Sequence, residues 1–197
     1  MTRKRYAHIA AAAAVIALGA WGASRAIDRI VSRQPAQSAP LASATATPGI
    51  PHITATLFYA TADGRALAAV RRDVPLVEGV RAQGRQILES QLEEAPAPYL
   101  SVIPRGTMLR AFYVTERGDA FVDLSPEIST AHPGGTTNEL LTVYAIVNAV
   151  TANLSSVQRV QILIGGKEAD TLAGHIDLRR PFERDTSLVR DEQKTTR

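Results

Sequence analysis

The pattern of apolar and polar residues after His52 predicts a β-hairpin. From Ile53 to Ala60 the side chains alternate and include several β-branched and aromatic residues, which is typical of a strand. Asp63-Gly64 is a turn signal, and Ala66 to Val74 has the pattern of a second strand. The two segments are therefore expected to pair with each other.

Two later segments place their apolar residues at helical spacing. The first extends from Glu78 to Glu93 and is stopped by the prolines of Ala95-Pro96-Ala97-Pro98. The second, Leu140 to Val150, is apolar most of the way round, which predicts a central buried helix. Thr136 and Glu139 precede it with the spacing of a capping box, in which the Thr136 hydroxyl accepts from first-turn amides and Glu139 reaches back.

Three more strands complete the predicted order. Leu109 to Thr115 and Ala120 to Leu124 form a second hairpin around Arg117-Gly118-Asp119, and Arg159 to Ile164 is the last strand. The order ββαββαβ predicts an α+β fold. We expect a two-layer domain with two helices packed on one face of a mostly antiparallel sheet.

The N-terminal segment has the composition of a membrane anchor. Arg3-Lys4-Arg5 precedes an apolar run from Ala7 to Ser24, and a bilayer-spanning helix needs about 17–25 apolar residues. Basic residues before the run favour a cytoplasmic N-terminus. A single-pass protein of the inner (cytoplasmic) membrane is therefore expected, with residues 7–24 as transmembrane helix and the C-terminal domain in the periplasm. A cleaved signal peptide has the same charged and apolar regions and is the alternative.

Four regions follow from these patterns. Residues 1–33 form the anchor or signal segment with a short helical extension. Residues 34–52 are rich in proline, alanine, serine and threonine, which predicts a flexible linker. Residues 53–178 form the folded domain, and the charged, aperiodic residues 179–197 are predicted to be a disordered tail.

Charge and cysteine content narrow the function classes. The net charge is +3, but the basic excess flanks the apolar N-terminal run, so the folded domain is nearly neutral. A nucleic-acid-binding domain needs a basic surface, so no nucleic-acid partner is expected. The chain has no cysteine, which excludes disulfides, thiolate metal ligands and lipidation at a cysteine.

Several short motifs, taken in order, resemble the GerMN (Germane) domain family. They are Leu57-Phe58-Tyr59, Arg71, Ile103 to Thr107, Val122 to Ser125, Gly134 to Glu139, Asn148 with Thr151, and Val160 to Ile164 with Gly166-Lys167. A single copy fits between residues 53 and 177. The resemblance implies a domain known from a sporulation and spore-germination protein and similar to the ring-building modules of envelope-spanning assemblies. It implies no enzymatic activity.

Few residues carry candidate catalytic or metal-binding chemistry. His52, His132 and His175 share no metal-ligand spacing, so neither a metal site nor a cofactor is expected. No nucleophile-elbow motif is present, and no catalytic residue is assigned. Asp123, at a strand end, is interpreted as capping the turn at Ser125-Pro126, with a role in a cell-wall hydrolase as the distant alternative.

The loop before the second helix is the candidate binding site. Gly134, Gly135, Thr136 and Thr137 lead into a helix N-terminus, where free amides and the helix dipole attract anions. The same residues also fit a purely structural capping role. Within the helix, Asn148 is predicted to bond a neighbouring loop backbone, because a buried amide needs partners.

The functional hypothesis is a non-catalytic module that binds other envelope proteins or copies of itself. Strand addition at the exposed edge of the first hairpin is the expected mode of contact. The alternative is a module that binds a small anion or a cell-wall fragment near Gly134 to Asn138, in contact with peptidoglycan.

Overall fold

Residues 50–190 are described by the computed structural model, and the predicted first hairpin is present among them. Strand β1 (His52–Ala60) pairs antiparallel with β2 (Leu67–Pro75). The register is regular along the whole length of both strands. These two strands form a sheet of their own.

The other strands form a second sheet, so the prediction of a single sheet is wrong, whereas the prediction of mostly antiparallel pairing in an α+β fold is confirmed for the described strands. Its order is β3 (Leu109–Val114), β4 (Asp119–Leu124), β5 (Arg159–Ile164) and β6 (Phe182–Glu183). The outer strands are antiparallel to their neighbours, whereas β4 and β5 are parallel. The parallel pair arises because a long helix separates β4 from β5 and returns the chain to the same end of the sheet.

Two long helices join the two sheets. α1 covers Val80–Leu92, α2 is a short turn at Glu127–Thr130, and α3 covers Thr136–Asn153. α1 contacts β1, β2 and β3, while α3 contacts β1, β5 and β6, so each long helix packs against strands of both sheets. α3 is buried on most of its surface, as its apolar composition predicts. The expected packing of both helices on one sheet is thus replaced by two helices shared between two sheets.

Side-chain amides from the two long helices keep the sheets separate. Gln91 of α1 accepts from the Phe58 N–H at 2.9 Å and donates to the Phe58 carbonyl at 2.7 Å. Asn153 of α3 does the same with Thr56, at 2.8 Å for both bonds. Because these amides occupy the outer edge of β1, no other strand among residues 50–190 pairs with it at Thr56 and Phe58.

The chain after residue 178 is packed against the domain as far as Arg190, so the prediction of a disordered tail is wrong for this stretch. β6 pairs with β5. Asn148 donates to the Asp185 carbonyl at 2.7 Å and accepts from the Asp185 N–H at 3.1 Å, which confirms its predicted structural role. The fully buried amide of Asn148 needs both a donor and an acceptor, and the backbone at Asp185 supplies them.

No helix within residues 50–190 is long and apolar enough to cross a membrane. The predicted membrane segment, residues 7–24, lies outside the described residues, as do residues 34–49 of the linker and residues 191–197. The N-terminal transmembrane helix therefore stays a prediction.

Candidate functional site

The predicted binding loop lies between two helices. α2 ends at Thr130 and α3 begins at Thr136. Gly134 and Gly135 have φ angles of 74° and 90°, in the left-handed region where a residue with a Cβ is strained. The backbone path into α3 therefore requires glycine at both positions.

His132 holds this loop through both ring nitrogens. Its Nδ1 accepts from the Gly134 N–H at 3.0 Å, and its Nε2 lies 3.0 Å from the Thr142 hydroxyl oxygen. That hydroxyl donates to the Val102 carbonyl at 2.7 Å, so Nε2 carries the ring proton and donates to Thr142. Burial lowers the pKa of His132, against a smaller raising effect of Glu139, so the ring is neutral at pH 7.

The predicted capping box is wrong. The N-cap residue of α3 is Gly135, and no side chain bonds the first-turn amides. Within residues 50–190, the N–H groups of Thr136, Thr137 and Asn138 have no hydrogen-bond partner. The Asn138 side chain donates instead to the Gly134 carbonyl at 2.9 Å. The residues of the predicted anion site thus lie together, beside unpaired amides.

Glu139 faces the domain interior instead of the helix N-terminus. It is fully buried, and its Oε2 accepts from the N–H groups of Ala173, His175 and Ile176 at 3.0 to 3.1 Å. Its Oε1 lies 2.6 Å from His175 Nδ1. Burial by itself raises the pKa of Glu139. The hydrogen bonds have the larger, opposite effect, and the net result is a pKa lowered to about 2. The charged carboxylate therefore fixes the loop that follows β5.

A cavity of about 190 Å³ opens beside the binding loop. Pro133 and Asn138 line one side, and the segment from Leu100 to Pro104 lines another. The lining is mostly apolar, which suits an apolar group, whereas the free amides at the start of α3 suit an anion.

Asp123 has different structural partners from the predicted one. Its carboxylate accepts from the Gly166 N–H at 2.7 Å and from Arg110 Nε at 3.1 Å, instead of capping the turn at Ser125-Pro126. Gly166 has a φ of 80° and belongs to the tight turn after β5. Both oxygens of the largely buried Asp123 carboxylate are thus bonded within the protein, one on each side of β4.

The histidines are dispersed over the domain. His52 begins β1, His132 lies in the loop before α3, and His175 lies against Glu139. In the described part of the chain, no group of three histidine, aspartate or glutamate side chains is placed so as to hold a metal ion.

The side chains that close the β1 edge, Gln91 and Asn153, are not among the predicted site residues. A signal for both exists in the sequence. Gln91 follows Ile87 and Leu88 at helical spacing, and Asn153 follows Val150 in the same way, so each polar residue lies on the buried face of its helix. A polar side chain at such a position must find partners in the core.

Solved structures of two other proteins have a similar fold. A Clostridium perfringens protein described as a lipoprotein aligns with a TM-score of 0.50 and 21% identity, over 70% of this chain and 91% of the other. The tandem GerMN domains of the sporulation protein GerM from Bacillus subtilis align with a TM-score of 0.54 and 18% identity, over 73% of this chain and 52% of the other. The first GerMN domain of GerM aligns with a TM-score of 0.50 and 21% identity, over 68% of this chain and 96% of that domain.

At these identities the likeness establishes the fold alone. This chain spans about half of the tandem GerM structure, as one domain set against two. No curated protein matches the chain. The model of the Germane family, described as sporulation and spore germination, matches residues 56–170, which is more than half of the chain. With that match and the shared fold, this chain belongs to the Germane (GerMN) family.

Proposed function

We propose that this chain is a non-catalytic interaction module of the cell envelope, held to the inner membrane by its N-terminal segment. The observation that carries the proposal is the use of the polar interior. Glu139, Asp123 and Asn148 each bond to the protein's own backbone. Groups engaged in this way stabilise the fold and have little freedom to act on a substrate, so the domain offers its surface to other molecules.

The description of one relative supports the location. The C. perfringens protein is described as a lipoprotein, a class that is attached to a membrane by its lipid. The present chain has no cysteine to carry such a lipid. Its apolar segment, residues 7–24, would serve the same purpose.

In-cell crosslinking of the full-length tagged protein tests this proposal. We expect a crosslinked product of discrete size that contains another envelope protein, or a ladder of self-crosslinked species. A tagged chain that retains only residues 1–52 is the control, because it keeps the predicted anchor and linker without the domain. Recovery of the full-length protein as an uncrosslinked monomer, or the same products from the control, would contradict the proposal.

A ligand-binding module is the second candidate function. The observation that favours it is that Pro133 and Asn138 line the cavity, while within residues 50–190 the first-turn N–H groups of α3, from Thr136 to Asn138, have no hydrogen-bond partner. An anionic group on the amides and an apolar part in the cavity would fit a cell-wall fragment. Titration with inorganic phosphate should then shift the amide resonances of Gly134 to Asn138. No shift at millimolar phosphate, together with no retention on purified peptidoglycan, would end this candidate.

A further inference from the structure

The hydrogen bonds of the first hairpin show which of its backbone groups face outward. The Leu76 N–H donates to the Pro51 carbonyl, and the register continues without a shift to Ala60 opposite Leu67. Backbone groups alternate between the two sides of a strand. The odd-numbered residues of β2 and the even-numbered residues of β1 therefore point away from the hairpin.

The outer edge of β1 is closed along its second half. Gln91 and Asn153 complete the bonds of Phe58 and Thr56, as described above. Ala60 exchanges two backbone bonds with Leu100, at 2.9 and 3.0 Å. From residue 56 to residue 60, β1 thus has no outward backbone group left for another strand.

The outer edge of β2 is closed at both ends. At its start, the Leu67 N–H donates to the Leu188 carbonyl at 2.8 Å, and the Arg190 N–H donates to the Leu67 carbonyl at 2.8 Å. At its end, the Gln83 side chain of α1 donates to the Pro75 carbonyl at 3.1 Å. These contacts limit any further strand pairing to the residues between them.

The middle of the β2 edge is open. Within residues 50–190, the outward N–H and carbonyl groups of Ala69, Arg71 and Asp73 have no backbone partner, and all three residues are exposed. An unpaired strand edge is a template for another strand. This stretch, Ala69 to Asp73, is called the open β2 edge.

The charges of the open β2 edge balance each other. The side chains of Arg71 and Asp73 lie on one face of the strand, two residues apart. In the described part of the chain, Arg71 has no ion-pair partner, and the Asp73 carboxylate accepts from the Thr54 hydroxyl at 3.3 Å. A partner strand that matches both charges needs an acid opposite Arg71 and a base opposite Asp73.

The edge itself has the sequence that such a partner needs. Read in both directions from Arg72, it has one arginine and one aspartate at the next positions, then Val70 and Val74. In an antiparallel pair related by a two-fold axis through Arg72, Arg71 of each copy lies opposite Asp73 of the other. Val70 lies opposite Val74 in the same way, on the other face.

The hydrogen bonds fit the same register. Arg71 and Asp73 both have outward N–H and carbonyl groups, so each Arg71–Asp73 pair exchanges two backbone bonds across the axis. The two symmetric pairs use the groups that are open in one copy. The hairpins of two copies would thereby join into one four-stranded antiparallel sheet.

Other two-fold registers are less favourable. A centre at Arg71 or at Asp73 sets two like charges opposite each other, and neither side chain has an ion-pair partner within residues 50–190. A centre at Ala69 or Val70 places a residue of the second copy opposite Leu67, which is already paired.

Arg72 lies opposite itself in the favoured register, but its charge is compensated. Its guanidinium is 3.2 Å from the Glu93 carboxylate of the same chain and 3.5 Å from the Tyr59 hydroxyl. Two Arg72–Glu93 pairs thus meet at the axis, and each is neutral by itself. The repulsion between two unpaired arginines does not arise.

We propose that the open β2 edge binds the same edge of a second copy of this chain, in the antiparallel register centred on Arg72. The complementarity of Arg71 and Asp73 selects this partner, because an antiparallel copy supplies both opposite charges at once. The inference rests on the proposed function and names the partner as the chain itself. An N-terminal anchor would keep copies in one membrane and raise their effective concentration.

Disulfide trapping of the full-length protein in detergent micelles tests the register. The chain has no cysteine, so a single introduced cysteine can bond only to another copy. Arg72→Cys places two cysteines in a non-hydrogen-bonded pair with Cα atoms about 4.5 Å apart, a distance that a disulfide spans. Ala69→Cys is the matched control, since the same register separates its two copies by about 20 Å. Under mild oxidation we expect at least about tenfold more dimer from Arg72→Cys.

Charge exchange tests what selects the partner. In the Arg72→Cys protein, either Arg71→Asp or Asp73→Arg sets like charges opposite each other twice, so the dimer yield should fall about tenfold. A mixture of these two variants restores opposite charges in every pair and should recover the yield as a heterodimer, which tags of different mass identify. Circular dichroism of each variant checks that it is folded.

Equal disulfide yields from Ala69→Cys and Arg72→Cys would overturn the inference, and so would a yield that does not change with Arg71→Asp. A mixture that fails to recover the heterodimer would show that the charges do not select the partner. If any of these results is found while in-cell crosslinking yields another envelope protein, the proposed function stands and the contact lies elsewhere. If in-cell crosslinking yields no product while Arg72→Cys is trapped in micelles, the proposed function fails by itself.

Discussion

The two edges of the first hairpin belong to strands of similar alternating sequence but have different partners. On the β1 edge, Gln91 and Asn153 reach in from two helices and complete the backbone bonds of Phe58 and Thr56. On the β2 edge, Leu67 is paired, and the backbone groups of the next three outward residues have no partner in the described part of the chain. The difference follows from packing, because β1 lies against both long helices whereas β2 packs mainly against α1.

This comparison shows how a helix closes a strand edge without another strand. A side-chain amide carries the same donor and acceptor as a peptide group, so it can satisfy a buried strand backbone. Glu139 stabilises the loop after β5 in a related way, because its carboxylate accepts hydrogen bonds from three backbone N–H groups. Closure is needed where the backbone is buried, whereas an edge that faces water obtains its bonds from water or from a partner.

The largest effect is expected from Glu139→Ala. It leaves three N–H groups of the loop after β5 without an acceptor, so the free energy of unfolding should fall by roughly 3–5 kcal/mol. Urea unfolding of the full-length protein, followed by circular dichroism, measures this loss. Glu89→Ala is the control, since Glu89 forms a partly exposed ion pair with Arg85 that is worth less than about 1 kcal/mol. Similar losses for the two variants would contradict the role assigned to Glu139.

Gln91→Leu should have the next largest effect. Leucine keeps much of the volume but leaves the buried N–H and carbonyl of Phe58 unpaired, which should cost about 2–4 kcal/mol. Gln86→Leu on the same helix is the control, because Gln86 bonds only to Glu89 near the surface, and its change should stay within about 0.5 kcal/mol. Thermal denaturation of the two variants compares them directly. A control loss as large as that of Gln91→Leu would show that the edge bonds are not the cause.

Lowering the pH is expected to have an intermediate effect on the free energy of unfolding. It acts on the loops that His132 and Glu139 hold and leaves the open β2 edge unchanged. The pKa of His132 is lowered, so its contribution to stability is complete above 6.5 and declines as pH falls through its folded-state pKa. The pKa of Glu139 is lowered from 4.5 to about 2, so its contribution is complete above 4.5 and is lost between these values. Urea unfolding at a series of pH values measures both. Glu139→Gln should flatten the dependence below 4.5, and an unchanged slope would contradict this assignment.

The smallest effect is expected from Arg71→Pro. Its N–H takes no part in the ladder with β1, so the free energy of unfolding should change by less than about 1 kcal/mol. Arg72→Pro is the contrasting variant, because it removes an N–H that points toward β1, and it should be clearly more destabilising. A large loss in Arg71→Pro would mean that its N–H has a structural partner and that the edge is not open.

The elements with a local signal were predictable from the sequence. Alternation gives the first hairpin, and the last predicted strand has the observed bounds, Arg159–Ile164. The turn residues Gly134 and Gly135 predict that the central helix begins just after them, and in the structure it begins at Thr136. Asn148 was also predictable, since a buried amide inside an apolar helix must have partners nearby.

The features that depend on distant residues were not predictable from local patterns. Thr136 and Glu139 have capping-box spacing, yet the partners of Glu139 lie 34 to 37 residues further along the chain. The tail after residue 178 has no periodicity of its own and is ordered by contacts with β5 and Asn148. Strand addition at the first hairpin can be expected from its sequence, but the open edge is identified only once Gln91 and Asn153 are seen to close the other.

Native-state amide hydrogen exchange of the full-length protein, diluted until it is monomeric, tests the contrast between the two edges most directly. The N–H groups of Thr56 and Phe58 should exchange slowly, near the rate set by global unfolding, and those of Ala69, Arg71 and Asp73 at least about a hundredfold faster. Equal protection of the β1 and β2 amides would contradict the account, and so would fast exchange at Phe58.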